Sequence, residues 1–118
     1  MKFVSVFSVL VVALLLMGFS MAGLPKPTEQ HAKQVQQQFP GITVQQLDQG
    51  MELYKTHCKG CHFVKNPTRY SEAVWKQQVP AMVSRINKKG KKYISPEQSS
   101  LILNYVLVMG PYAKLTTK

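Results

Sequence analysis

Cys58, Cys61 and His62 stand in the order Cys-x-x-Cys-His, and they include the only two cysteines among 118 residues. Two thiols at that spacing can form thioether bonds to the two vinyl groups of one porphyrin. The next residue then brings an imidazole under the iron. The pattern predicts one covalently attached haem c with His62 as proximal ligand. The same residues could do other chemistry. A Cys-x-x-Cys pair can cycle as a redox dithiol, but that use goes with a βαβ pattern, and no strand pattern of useful length is present. His57, Cys58, Cys61 and His62 are zinc-ligand types, yet four donors within six residues cannot easily surround one ion tetrahedrally.

Covalent haem attachment in bacteria takes place outside the cytoplasmic membrane, so the motif calls for an export signal. Met1-Lys2 gives a short positive start, and an apolar run from Phe3 to Leu16 is broken only by Ser5 and Ser8. Ser20-Met21-Ala22 fits the small-x-small cleavage rule. Residues 1–22 are therefore expected to be a signal peptide, giving a periplasmic protein with no stable membrane span after cleavage. The other reading is a retained anchor, for which Phe3 to Met17 is short against the roughly 20 residues a span needs.

Cleavage leaves 96 residues, enough for one domain. So small a domain has a marginal core, to which a buried haem would add a large apolar plate. The full chain carries 15 Lys+Arg against 5 Asp+Glu, a formal charge of +10. Such a surface favours acidic partner proteins and speeds encounter at low salt. Export argues against nucleic acid as the partner, and no nucleic-acid motif is visible.

The elements that must position the motif are helical. Residues 23–42 read as an N-terminal arm: Leu24-Pro25-Lys26-Pro27 is extended, His31 to Gln38 is a Gln-rich frayed turn, and Pro40-Gly41 punctuates the chain. A first helix starts at Thr43, with Gln46 completing a capping box. Leu47, Met51, Tyr54 and Cys58 share one of its faces. Gly50 lies on that face too, and the close approach of another helix would explain it. A second helical stretch runs from about Ser71 to Ile86, with Trp75, Val79, Met82, Val83 and Ile86 together. Pro80 should break or kink it near Val79. Residues 87–92 form a polar turn with four lysines. Ser95-Pro96-Glu97-Gln98 then opens the last helix, and Gly110-Pro111 stops it. The fold class is all-α.

Over roughly residues 43–110 the chain resembles the class I cytochrome c family. There a helix running into Cys-x-x-Cys-His crosses the C-terminal helix at close range, through a Gly and an aromatic on one side and an aliphatic-x-x-aromatic pair on the other. Gly50 with Tyr54, and Ile102 with Tyr105, match that pattern. The resemblance implies a cytochrome c-like domain, residues 43–118, of three to four short helices around one covalently bound haem. The middle of the chain is similar to a subset of small bacterial c-type haem domains in which a Trp-x(6)-Met helix supplies the distal methionine; here that is Trp75 and Met82. Better-known members place that methionine just before the last helix, where Lys88 to Pro96 has none, and their proline lies further from the motif than Pro67.

By residue type the sixth iron ligand could come from Met51, Met82, Met109, His31 or His57. Met51 and Met109 read as core or helix-end residues. His57 is too close to Cys58 to reach the opposite haem face, and His31 would have to fold back. Met82 is the expected ligand. The Pro67 carbonyl is a possible acceptor for the other ring nitrogen of His62, and Trp75, Arg69 and Tyr70 are possible propionate donors. The cofactor-binding set is thus Cys58, Cys61, His62 and Met82, with His62 and Met82 on the metal. The expected function is single-electron transfer without catalysis. The alternative is a haem-based small-molecule binder or sensor with an open or weakly held sixth position.

Overall fold

Three helices open with the same reciprocal cap, and that local chemistry sets the frame. A computed structural model describes residues 23–58 and 65–116. Residues 1–22, the expected signal peptide, and Cys61 and His62 lie outside the described residues. The helices are α1 (Glu29–Gln34), α2 (Val44–His57), α3 (Glu72–Lys89), α4 (Pro96–Met109) and α5 (Pro111–Thr116), with a 3-10 turn at Pro67–Arg69 between α2 and α3. Among the described residues there is no strand.

The cap of α2 is the expected one. Thr43 Oγ1 accepts from the Gln46 amide at 3.2 Å, and the Thr43 amide donates to Gln46 Oε1 at 3.1 Å. Ser95 and Gln98 repeat it at α4, at 3.1 and 3.0 Å. At α1 the partner of Thr28 is His31, whose Nδ1 accepts from the Thr28 amide at 3.0 Å. Each box satisfies two amides that a helix start otherwise leaves without an acceptor.

The core is built around α4. Ile102, Tyr105, Val106, Leu107, Val108 and Met109 are all buried, so its second half is apolar on every side and needs cover all round. Helix α2 lies along it, and α3, α5 and the 3-10 turn fill other sides. At the α2–α4 crossing a Cβ on Gly50 would collide with the Leu101 carbonyl oxygen and stand 2.8 Å from Tyr105 Cβ. The close approach expected from Gly50 is therefore present.

Two sequence readings need amending. Pro80 does not break α3, which runs unbroken over 18 residues. Pro80 faces solvent, where the carbonyl it leaves unbonded one turn back can be hydrated. The same helix carries Lys88 and Lys89 in its last turn, and Gly90 ends it in the left-handed conformation, φ 72°. The polar turn is accordingly shorter than the lysine run. The arm is docked: Ala32, Val35 and Ile42 are buried. Gln36 ties the arm together through the carbonyls of Ala32 and Ile42, and Tyr105 donates to the Pro25 carbonyl at 2.8 Å.

Candidate functional site

The cysteine motif begins where α2 ends. Cys58 is the C-cap of that helix, and its amide donates to the Tyr54 carbonyl one turn back. Its side chain is half-buried against the core. The chain is described again from Lys65, and there the Tyr54 hydroxyl donates to the Lys65 carbonyl at 2.6 Å. Asn66 caps the 3-10 turn by accepting from the Thr68 amide at 3.0 Å. Pro67 is buried, and its carbonyl accepts from the Trp75 indole N–H at 2.8 Å. Gly110 closes the arrangement from behind, since a Cβ there would stand 2.6 Å from the Pro67 carbonyl carbon.

These contacts bear on the roles expected of Trp75 and Pro67. The single donor of Trp75 is spent on Pro67 and its ring is 1% exposed, so Trp75 is a core residue and not a propionate donor. The Pro67 carbonyl does act as an acceptor, for Trp75, and a carbonyl has a second lone pair. Arg69 is exposed. Tyr70 stacks edge-on against Trp75 with ring centroids 5.0 Å apart.

Met82 sits mid-way along α3, two turns beyond Trp75, and is half-buried against the core with Val83 and Ile86. Met51, Leu53, Tyr70 and Leu103 have the same status. Cys58 is likewise half-buried against the core. Helices α2 and α3 both pack on α4. Of the four expected cofactor residues, Cys58 and Met82 are each half-buried against the core, while Cys61 and His62 lie outside the described residues. The other ligand candidates are placed differently. Met109 is in the core at 4% exposure. His31 spends Nδ1 on its helix cap. His57 is half-buried on α2, with Nδ1 buried and carrying no hydrogen bond.

The donor set suits a haem: two thiols and an imidazole in the sequence, and a thioether on α3, which packs on α4 as α2 does. Burial pushes the Tyr54 phenol well above its ordinary range, with the nearby Cys58 thiol adding to the effect. Burial does the same to Tyr105, aided by Tyr54. A basic loop stands out at the end of α3. The Asn87 side chain accepts from the Ile94 amide at 2.8 Å and donates to the Ile94 carbonyl at 3.0 Å. That two-point clasp spans the end of α3, with Lys88 and Lys89 in its last turn, and the turn after it, with Lys91, Lys92 and the 70% exposed Tyr93.

Sequence reasoning missed the hydroxyl of Tyr54, the Gly110–Pro67 contact, the Asn87 clasp and Tyr93. The first two involve backbone carbonyls, which every residue carries, so no residue type announces them. The clasp was findable, since an Asn near a helix end often bonds backbone a few residues on. The chain matches no protein-family model, no curated protein and no solved structure.

Proposed function

We propose that this chain is an exported monohaem c-type cytochrome that carries single electrons, with Cys58 and Cys61 as attachment points and His62 and Met82 as axial ligands. One observation carries the reading most: the Cys-x-x-Cys-His motif starts at the last turn of a helix that crosses α4 so tightly that Gly50 has no room for a Cβ. Haem c would supply reversible one-electron chemistry at iron, with a methionine ligand raising its potential. The chain's own residues hold the thiols and imidazole in one short segment. Met82 offers its thioether from α3, with Val83 and Ile86 half-buried on the same helix. The basic loop at residues 88–93 is the docking surface for an acidic redox-partner protein, and export through residues 1–22 places the exchange in the periplasm.

The test is the visible spectrum of protein matured in a periplasm with haem-attachment machinery, taken oxidised, reduced, and reduced under carbon monoxide. A low-spin spectrum with the methionine–ferric charge-transfer band, unchanged by carbon monoxide, is expected. Met82→Ala should open the iron to carbon monoxide and lower the potential. A spectrum and potential unchanged in that variant would remove Met82 from the site. A high-spin wild-type spectrum that shifts with carbon monoxide would instead favour the ligand-binding reading.

A further inference from the structure

Between Glu72 and Glu97 the chain carries no carboxylate side chain and six cations: Lys76, Arg85, Lys88, Lys89, Lys91 and Lys92. Lys76 pairs with Glu72 at 2.8 Å, the one ion pair among the described residues. The other five are exposed, with no carboxylate among those residues at ion-pair distance. The negative end of the α3 dipole favours Lys88 and Lys89 in its last turn. It does not account for Arg85, a turn earlier, or for Lys91 and Lys92, beyond the helix. Arg85 lies three and four residues before Lys88 and Lys89, so the three are neighbours on one helix surface, where like charges repel.

The backbone under these charges is fixed. Asn87 spends its side-chain acceptor and donor on Ile94, at 2.8 and 3.0 Å, and Ile94 is 1% exposed. Gly90 makes the turn with its amide on the Asn87 carbonyl at 3.2 Å, and a Cβ there would meet open space. Its φ of 72° is what calls for glycine. Tyr93 is the one large apolar side chain that the described residues leave exposed. A lone exposed tyrosine is ordinary. Held in a fixed turn among unpaired cations, Tyr93 and Arg85 are instead the residue types that carry most binding energy at interfaces.

We propose that Arg85 and Tyr93 determine the specificity of the docking surface, with Asn87 as its positioning residue. The partner is a protein surface that offers carboxylates to Arg85 and the lysines, and an apolar recess to the Tyr93 ring. The proposal rests on the acidic-partner reading above and deepens it. The lysines speed encounter, Arg85 adds a two-pronged bond to a carboxylate, and the Asn87 clasp spares the partner the cost of ordering the turn.

Two synthetic helical peptides of equal length and charge serve as probes. Each presents glutamates around a central stripe, of leucines in one and serines in the other. Binding to the full chain matured in a periplasm is followed by fluorescence anisotropy across a salt series, below the Tm of every variant. Wild type should prefer the leucine probe about fivefold, and Tyr93→Ser should erase that preference with the salt dependence unchanged. Asn87→Ala and Gly90→Ala keep the charge, yet each should weaken both probes about fivefold. Arg85→Lys keeps it too and should cost about threefold. Equal binding of the two probes by wild type would overturn the apolar recess. Wild-type affinity in all four variants, with a loss only when Lys88, Lys89, Lys91 and Lys92 are all changed to Gln, would overturn the proposal and leave a plain electrostatic surface. No loss in that lysine variant either would remove the docking surface itself. None of these results bears on the haem reading, which the visible spectrum of the same samples decides.

Discussion

Alanine ordinarily gains about 1 kcal/mol over glycine inside a helix. At Gly50 the sign should reverse. A Cβ there meets the Leu101 carbonyl oxygen, which is helix backbone and cannot swing aside as a side chain tip would. Gly50→Ala should cost about 2–3 kcal/mol, read as a lower urea midpoint with unchanged slope; an unchanged or higher midpoint would show that α2 and α4 are not in that contact. The position was legible because Gly50 shares a face with Leu47, Met51 and Tyr54. The second use of Tyr54 was not, because a phenol's acceptor on a distant carbonyl leaves no trace in spacing. Buried phenols carry their own pH signature. Tyr54 and Tyr105 are raised above the ordinary 10.0, chiefly by burial. The unfolded chain releases those protons near pH 10 while the folded chain keeps them. Their contribution is full below that pH and declines as pH rises through it. Urea midpoints should therefore fall above about pH 10, with Tyr54→Phe showing a shallower fall than wild type.

At the scale of elements, capping was the most readable feature, because Thr43 with Gln46 and Ser95 with Gln98 are purely local signals. The continuity of α3 was not readable, since whether a proline breaks a helix depends on what faces the carbonyl it orphans. Here that face is solvent, and eighteen residues run through Pro80 without a break. The proline is still a cost. Pro80→Ala restores an amide to the middle of α3 and should stabilise the fold by about 1–2 kcal/mol. That is less than the ~3 kcal/mol of host helices, because proline also restricts the unfolded chain. A Tm raised by roughly 5 °C is expected; a lower Tm would mean that the backbone restriction of Pro80 is needed to seat α3 on α4. Met82 lies two residues on, so the same variant tests the site. A gain in Tm together with a weakened methionine–ferric band would mean that Pro80 aims the thioether. Docking of residues 23–42 was likewise hidden, because Ala32 and Val35 are too few and too small to announce a core face. Their burial depends on α4 being apolar all round.

The full chain carries +10, and on the proposed electron-carrier reading the question at this scale is whether encounter with an acidic redox protein follows that total or its placement. Exposed charges further apart than a screening length, about 10 Å at 0.1 M salt, act nearly independently at working ionic strength. A cluster held in place should therefore outweigh the same charge spread out. The Asn87 clasp spans Lys88 and Lys89 at the end of α3 and Lys91 and Lys92 in the turn that follows, next to exposed Tyr93 in the chain, whereas Lys26, Lys33 and Lys55 are spread over the arm and α2. Two variants of equal net charge separate the cases: Lys88, Lys89 and Lys92 all changed to Gln, against Lys26, Lys33 and Lys55 all changed to Gln. Stopped-flow electron-transfer rates with an acidic partner should fall with salt for wild type. At low salt the loop variant should be slower by about tenfold with a flattened salt dependence, and the scattered variant should lose much less. Tyr93→Ser should slow exchange at every salt concentration without altering the slope, because it removes contact area and no charge. Equal losses in the two lysine variants would mean that the total charge steers encounter and that the loop is an ordinary solvated turn.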